Sequence, residues 1–158
     1  MSKETDVQSQ LHNITQANCA NDEKIIRILQ LGCEYFGLMF GLVSKIEEES
    51  YFIIHAYPDG IFSVGARFDL QETICDITNK DHDIVAFSKA SGTDWVTHPA
   101  YEKFSIESYI GMPYLLSDGT RGTLNFSSPT ALPNDFTDQN KKILRELCHC
   151  ITKILTIQ

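Results

Sequence analysis

The sequence predicts an α+β domain in which helices cover one face of an antiparallel sheet. Two observations support this: helical periodicity occurs near both ends of the chain, and the middle holds short β-rich runs separated by turn residues. With 158 residues and 42% apolar content, the chain is long enough for one packed core and too short for two. We therefore expect a single domain.

The N-terminal region is polar but has a helical pattern. Val7, Leu11 and Ile14 recur along one helix face, which predicts a short amphipathic helix. Such a helix is marginal alone, so we expect it to pack on another surface. We divide the chain into residues 1–20, a polar segment or short helix, and residues 21–158, the domain.

The first strongly amphipathic segment is NDEKIIRILQLGCEYFG. It predicts a helix over residues 22–36, with Asn21 or Asp22 as the N-cap. Gly37 is expected to end this helix, because glycine readily takes the left-handed conformation that follows many helix C-termini.

Short β-rich runs follow this helix. LMFGLVSKI and YFIIHAY flank an acidic turn at Glu47–Ser50 and predict a β-hairpin. The next elements are expected to be a strand, a short helix, a strand and a loop, over SVGARFDL (63–70), ETICDITN (72–79), DIVAF (83–87) and residues 88–104. Within this loop, His98-Pro99 precedes a possible helical turn.

The segment SYIGMPYLLSDGTRGTLNFSS, residues 108–128, predicts two more strands. A three-residue loop, Ser117-Asp118-Gly119, would join them, with Gly119 supplying the left-handed residue that this loop needs. A phosphate-binding loop is the alternative interpretation. That motif needs a strand-to-helix context and a Lys followed by Ser or Thr, and this segment has neither.

Strand alternation divides this hairpin into two different faces. The apolar face holds Ile110, Met112, Tyr114, Leu124 and Phe126. The opposite face holds Tyr109, Gly111, Pro113, Thr123, Asn125 and Ser127. We expect the first set to join the core, and the second, which is small and polar, to form the floor of a pocket.

The last segment, DFTDQNKKILRELCHCITKILTIQ, predicts a long helix with Thr137 as its N-cap. Its apolar residues form two rows. One row is Ile143, Leu147, Cys150 or Ile151, and Ile154, and the other is Leu144, Cys148 and Leu155. Two interpretations stay open: the second row widens the face that packs on the chain's own core, or it contacts another copy of the chain.

Composition excludes some partners. The net charge of −8, without a Lys/Arg cluster, argues against nucleic acid and against an anionic membrane surface. No run is long and apolar enough for a membrane helix, and the polar start does not resemble a signal peptide. The expected location is the cytoplasm.

The cysteine pattern favours reduced thiols. Five cysteines occur, an odd number, without a CxxC pair. Cys148, His149 and Cys150 are adjacent, but neighbouring side chains on a helix point about 100° apart and do not converge on one metal ion. We expect no metal site, and no set of catalytic residues is evident.

Four segments of the chain resemble a GAF domain, the small-molecule sensor module of signalling proteins. In order along the chain, they are LGCEYFG, RFDLQETICD, HPAYEKFSIESYIGMPYLLSDGTRGTLNFSS and DFTDQNKKILRELC. The resemblance covers about residues 20–157. It is strongest to the GAF domains of sensor histidine kinases and diguanylate cyclases. It implies a six-stranded antiparallel sheet, a non-catalytic regulatory role and a downstream kinase or cyclase output domain. It names no cofactor.

The ligand classes of GAF domains are marked by residues that are mostly missing here. Bilin-binding members have a cysteine followed by histidine before the penultimate strand, where this chain has His98 without a cysteine. Cyclic-nucleotide members carry an Asn-Lys…Phe…Asp-Glu signature, and its Asp-Glu pair is missing. Free-methionine-sulfoxide reductases use two cysteines, and only the position of Cys75 matches.

The resemblance places a pocket between the polar sheet face and residues 71–104. The residues expected to line it are Cys75, Trp95, His98, Tyr101, Tyr109, Asn125 and Ser127. Some of these have an alternative role: Cys75 as a small buried residue, Trp95 as a cap on the core, and His98 as a hydrogen-bonding group that orders its loop.

We therefore expect a small-molecule-sensing regulatory domain that dimerises through its terminal helices, with an unidentified small molecule as its ligand. Two alternatives stay open. One is a thiol redox enzyme related to the free-methionine-sulfoxide reductases, with Cys75 as an ancillary group. The other is a structural interaction module whose vestigial pocket is filled by Trp95 or Tyr109.

Overall fold

The computed structural model describes residues 3–77 and 83–156. Its strands are β1 (Phe40–Glu47), β2 (Ser50–Tyr57), β3 (Arg67–Asp69), β4 (Val85–Phe87), β5 (Ser108–Leu115) and β6 (Arg121–Ser128). They form one antiparallel sheet in the order β3-β2-β1-β6-β5-β4. The predicted α+β class and the sheet of six strands are confirmed.

Helices lie on both sides of this sheet. The helices that lie wholly within the described residues are α1 (Lys3–Gln16), α2 (Asn21–Phe36), α3 (Pro99–Phe104) and α4 (Asp138–Thr156), and two 3-10 turns span Leu70–Glu72 and Asp94–Thr97. The long helices α1, α2 and α4 share a buried core with one face of the sheet. The short elements cover the other face. No helix in the described parts of the chain is long and apolar enough to cross a membrane.

The ends of the long helices test the predicted caps. Gly37 has φ 73° and its N–H donates to the Cys33 carbonyl, 2.9 Å away, so the predicted stop is confirmed. The predicted N-cap of α2 is wrong, because Ala20 occupies that position without a side-chain cap. Asp22 lies in the first turn instead, where its carboxylate is 2.9 Å from His55 Nε2 on β2.

The predicted cap of α4 is confirmed. The Asn140 N–H donates to Thr137 Oγ1 at 3.1 Å, and the Thr137 N–H donates to Asn140 Oδ1 at 2.9 Å. This reciprocal pair satisfies backbone groups that would otherwise be unpaired at the helix start. In α1, Val7 and Leu11 are buried, as the amphipathic pattern predicts.

Both apolar rows of α4 are used within the chain. Ile143 and Leu147 from the first row, and Leu144 and Cys148 from the second, are all buried in the core shared with α2 and the sheet. Leu155 packs at the edge of that core. The interpretation of α4 as a wide core-facing helix therefore accounts for its second row.

The segment between β2 and β4 differs from the prediction. The third strand covers Arg67–Asp69 alone, because the preceding residues turn: the Ala66 N–H donates to the Ser63 carbonyl at 3.0 Å, and Gly65 has φ 91°. This left-handed residue interrupts the regular strand, although the Gly65 N–H still donates to the Ile53 carbonyl on β2 at 2.7 Å. Of the helix predicted over 72–79, residues 75–77 are helical and residues 78–79 lie outside the described part.

The β5–β6 hairpin has the predicted loop. The Leu116 N–H donates to the Thr120 carbonyl at 2.8 Å, which leaves three residues, 117–119, in the loop. Gly119 has φ 92°, the left-handed conformation expected at its last position. The predicted apolar face of this hairpin joins the core under α2 and α4.

Candidate ligand-binding cavity

A cavity of about 380 Å³ lies on the sheet face opposite the long helices. Strands β1, β2, β5 and β6 form its floor. Its cover consists of residues 73–75, α3, and Phe62 from the connection between β2 and β3. The volume falls within the range of about 300–1,000 Å³ typical of small-molecule pockets.

Strand register explains why the floor is polar. Tyr109 pairs with Ser127, which pairs with Phe40, and one step along the sheet Gly111 pairs with Asn125, which pairs with Leu42. Residues directly opposite each other on neighbouring strands point to the same face. The predicted polar face of the hairpin therefore lies beneath the cavity.

Gly111 makes room for one wall of the cavity. A Cβ atom at this position would lie 2.5 Å from Tyr109 Oη and 2.9 Å from the Cβ of Asn125. The Tyr109 ring thus lies back over Gly111, in space that any other residue would occupy. Tyr109 itself is buried.

The Cys75 thiol is the centre of a buried hydrogen-bond cluster. Thr123 Oγ1 donates to Cys75 Sγ at 3.2 Å, and Asn125 Nδ2 donates to the same sulfur at 3.3 Å. The Tyr109 hydroxyl is 3.7 Å from this sulfur, and Asn125 Nδ2 also donates to Tyr51 Oη at 3.4 Å. These hydrogen bonds attach Cys75, a residue of the cover, to the floor of the cavity.

This cluster is uncharged at neutral pH. Burial raises the pKa of the Cys75 thiol, and hydrogen bonds from Thr123 and its neighbours only partly oppose that rise. Burial likewise raises the pKa of Tyr51 well above its usual value. Desolvation disfavours the charged form of both groups. The floor therefore offers hydrogen bonds but no formal charge.

We expect Cys75 to react with iodoacetamide at least about tenfold more slowly than Cys19 or Cys150, because the thiolate is the reactive form and Cys75 is buried. Cys19 and Cys150 are partly exposed. Mass-spectrometric mapping of labelled peptides over time measures the three rates. In denatured protein the rates should become similar, and equal rates in the folded protein would contradict a buried, protonated Cys75.

The walls of the cavity are mainly aromatic. Phe40 and Phe62 pack edge to face with ring centroids 5.3 Å apart, and Phe68 and Phe104 do so at 5.6 Å. Lys103 is the charged residue among the described lining residues. Its Nζ atom lies 2.8 Å from a carboxylate oxygen of Glu72. The same atom lies 5.5 Å from the centroid of the Phe68 ring and 5.6 Å from that of the Phe104 ring, within the range of cation–π contacts.

The structure brings four of the seven predicted site residues together: Cys75, Tyr109, Asn125 and Ser127 line the cavity. The predicted convergence of Trp95, His98 and Tyr101 on the same cavity is not observed. Their segment, residues 94–104, folds into a 3-10 turn and α3, and only the α3 residues Ala100, Lys103 and Phe104 face the cavity.

Trp95 lies in a more open hollow beside the cavity. Its ring stacks on Phe87 with centroids 4.5 Å apart, and Phe87 stacks on Tyr109 at 5.8 Å. Phe87 thus connects Trp95 to the cavity wall at Tyr109. The vestigial-pocket hypothesis offers Trp95 as one of two residues that could fill the cavity. Trp95 lies outside the cavity and therefore does not fill it.

His98 and Tyr101 have structural contacts. The Ala100 N–H donates to His98 Nδ1 at 3.0 Å, so the imidazole caps the start of α3. The Tyr101 hydroxyl donates to Glu107 Oε2 at 2.8 Å, and Ser91 Oγ donates to the same oxygen at 2.7 Å. These bonds hold the loop before Trp95 against the start of β5.

The cap at His98 predicts a pH dependence. Burial lowers the pKa of His98 below its usual value of 6.5, with Asp76 partly opposing this. A lowered folded-state pKa contributes stability that is present above pH 6.5 and lost as pH falls through the folded pKa. Asparagine can accept the same bond without titrating.

We therefore expect wild type to lose stability relative to His98→Asn between about pH 8 and about pH 5. Urea denaturation at several pH values measures this difference. Parallel curves for the two proteins would contradict the role of His98. The other histidines are present in both proteins, so their effect on stability cancels in the comparison.

Several lining residues were not predicted, among them Tyr51, Phe68, Lys103 and Phe104. Tyr51 carries a usable signal, because it alternates with Ile53 along a predicted strand. The other three lie in β3 and α3, where no strong periodicity marks a buried face. Among the described residues, no group of three His, Cys, Asp or Glu side chains could hold a metal ion.

The sequence matches no protein-family model and no curated protein. Solved structures are similar in fold. The GAF domain of an Acinetobacter phosphoenolpyruvate-protein phosphotransferase has a TM-score of 0.77 and 15% identity, over 99% of this chain and 95% of that one.

Two further solved structures have the same fold and a known bound molecule. The phycocyanobilin-bound GAF domain of a cyanobacterial phytochrome has a TM-score of 0.72 and 10% identity, over 99% of this chain and 95% of that one. The free methionine-R-sulfoxide reductase of Neisseria meningitidis, in complex with its substrate, has a TM-score of 0.72 and 13% identity, over 96% of this chain and 87% of that one. At such identities the likeness concerns the fold, and both binding domains and an enzyme share it. The chain therefore has the fold of GAF domains.

Proposed function

We propose that this chain is a regulatory domain that binds a small molecule in the cavity between the sheet and α3. The observation that carries the proposal is the combination of aromatic walls with a few polar groups, Asn125 and Ser127 among them, that converge on the floor. Ligand pockets typically have this composition. The GAF fold is compatible with this role and does not by itself assign it.

The reductase alternative has less support. Thiol oxidation and its reversal need an accessible thiolate and, in a two-cysteine cycle, a second thiol nearby. Cys75 is buried with a raised pKa. Cys33, Cys148 and Cys150 pack in the core on the other side of the sheet, and Cys19 lies between α1 and α2. None of these four is placed to resolve an oxidised Cys75.

A signal would pass through β5 and β6, because alternate residues of these strands contact opposite layers. Tyr109 and Asn125 lie at the cavity, whereas Ile110 and Phe126 pack in the core with α2 and α4. We propose that ligand contact shifts these strands and thereby the terminal helices, which would act on a kinase or cyclase output domain. Dimerisation through the terminal helices stays a prediction. The second row of α4 gives it little support, because Leu144 and Cys148 of that row are already buried within the chain.

A cavity-filling variant tests the proposal. Ser127 lies on the cavity floor, and leucine in its place would occupy part of the ligand volume. We expect compounds found by native mass spectrometry and thermal shift to lose at least about tenfold in affinity for Ser127→Leu, the size of effect that one misplaced apolar side chain has in a pocket.

The matched control is Ser9→Leu, the same substitution on the exposed surface of α1. It should leave binding unchanged. Compounds that bind Ser127→Leu as tightly as wild type do not occupy the cavity. A broad screen that finds no cavity ligand at all would remove the proposed function.

A further inference from the structure

We propose that the cavity takes a neutral, compact aromatic compound that carries one hydrogen-bond-accepting oxygen, placed against Asn125 and Ser127. This inference rests on the proposed function and adds the chemical class of the ligand. Three features of the site support it: the absence of an available counter-charge, the aromatic walls, and the hydrogen-bonding state of the floor.

Charge is the first feature. Lys103 is the charged side chain among the described residues that line the cavity, and its ammonium is already 2.8 Å from Glu72 and over two aromatic rings. An anionic ligand would have to share Lys103 with the Glu72 carboxylate, which would repel it, and a cationic ligand would meet no carboxylate on this lining. Burying an unpaired charge costs far more than burying a neutral group.

Shape and surface are the second feature. The edge-to-face pairs Phe40–Phe62 and Phe68–Phe104 flank the cavity, and Tyr109 forms another aromatic wall. Such rings favour a flat apolar partner, because aromatic pairs gain energy in stacked and edge-on arrangements. At about 380 Å³, the cavity is close to the lower limit for small-molecule pockets, which indicates a compact ligand.

The floor supplies the third feature. Neither hydrogen bond donated by Asn125 Nδ2 is strong: the one to Tyr51 Oη is long, at 3.4 Å, and the one to Cys75 Sγ, at 3.3 Å, goes to a weak acceptor. A ligand oxygen could form a stronger hydrogen bond with Asn125 Nδ2 than Cys75 or Tyr51 does. Ser127 lies two residues along the same strand face and has no hydrogen bond from its hydroxyl within the described chain. The two side chains can therefore hold one acceptor oxygen.

A matched set of bicyclic probes tests this class: 1-indanone, its hydrocarbon indane, 1-aminoindane and indane-1-carboxylate. Isothermal titration calorimetry, with competition for the weak binders, gives their relative affinities. We expect 1-indanone to bind about two- to tenfold more tightly than indane, the effect of one hydrogen bond. The amine and the carboxylate should bind at least about tenfold more weakly than the ketone.

Asn125→Ala supplies the second arm. It should bring the affinities of the ketone and the hydrocarbon closer together, because Ser127 alone then holds the oxygen, and this ratio within one variant does not depend on the variant's stability. The ranking of the four probes on wild type stands even if the variant fails to fold. For wild type, the inference would be overturned by equal or tighter binding of either ion, by equal binding of ketone and hydrocarbon, or by no binding of 1-indanone up to its solubility limit. An unchanged ketone-to-hydrocarbon ratio in a folded Asn125→Ala variant would also overturn it.

The outcomes separate this inference from the proposed function. A charged ligand whose binding is lost in Ser127→Leu would refute the neutral class while leaving a cavity-binding regulatory domain in place. If no compound of any class binds in the cavity, the proposed function fails as well.

Discussion

Replacing Phe126 with alanine is expected to lower the free energy of unfolding by about 3–5 kcal/mol, the usual cost of deleting a fully buried phenylalanine ring. Phe126 is 0% exposed and lies on β6, at the centre of the sheet. Its ring centroid is 5.2 Å from that of Phe36 at the end of α2. The substitution would leave a cavity where the helix meets the sheet.

Urea denaturation followed by circular dichroism measures this loss. The control is Leu115→Ala, an apolar truncation at the end of β5, where the side chain is 70% exposed. Its effect should stay within about 0.5 kcal/mol, as is usual for surface positions. If the two variants lost similar stability, Phe126 would not have the core position described here.

Gly111→Ala, which adds a single methyl group to the cavity floor, should lower both the stability of the protein and its affinity for a ligand. The added Cβ would lie 2.5 Å from Tyr109 Oη, so the ring must move into the cavity. Overpacking of this kind costs about 1–3 kcal/mol. We expect the variant to lose stability and also affinity for any cavity ligand, because the displaced ring takes ligand volume.

A double-mutant cycle with Tyr109→Leu separates this contact from a general intolerance of the strand. In the Tyr109→Leu background, Gly111→Ala should cost clearly less, since the contact with the phenol is gone. A smaller cost should persist, because the new Cβ would still be 2.9 Å from the Cβ of Asn125. An identical cost in both backgrounds would show that Tyr109 does not occupy the space above Gly111.

The polar floor could be predicted because its determinants are local. Gly119 and the odd loop length determine the hairpin register, and alternation then assigns each side chain of the two strands to a face. Tyr109, Asn125 and Ser127 were assigned to the cavity side in this way, and the structure places them there. The caps at Gly37 and Thr137 were predictable for the same reason.

The rest of the site depended on contacts between segments distant in sequence. The register between β1 and β2 shifts after Val43, so that Val43 pairs with His55 and Ser44 with Ile53. This bulge changes which residues of β2 face the cavity. Asp22, one of the two predicted N-caps of α2, instead contacts His55 on a strand that only the folded chain brings near.

By itself, the sequence determined the order of helices and strands, the hairpin register and the polarity of each sheet face, because periodicity, glycine turns and caps act over a few residues. Only the tertiary structure decided which loop residues reach the cavity. Lys103 and Phe104 face it, whereas Trp95 and His98 pack beside it. Loop placement depends on packing against other elements, as in the stack of Trp95 on Phe87, and no local pattern encodes such a contact.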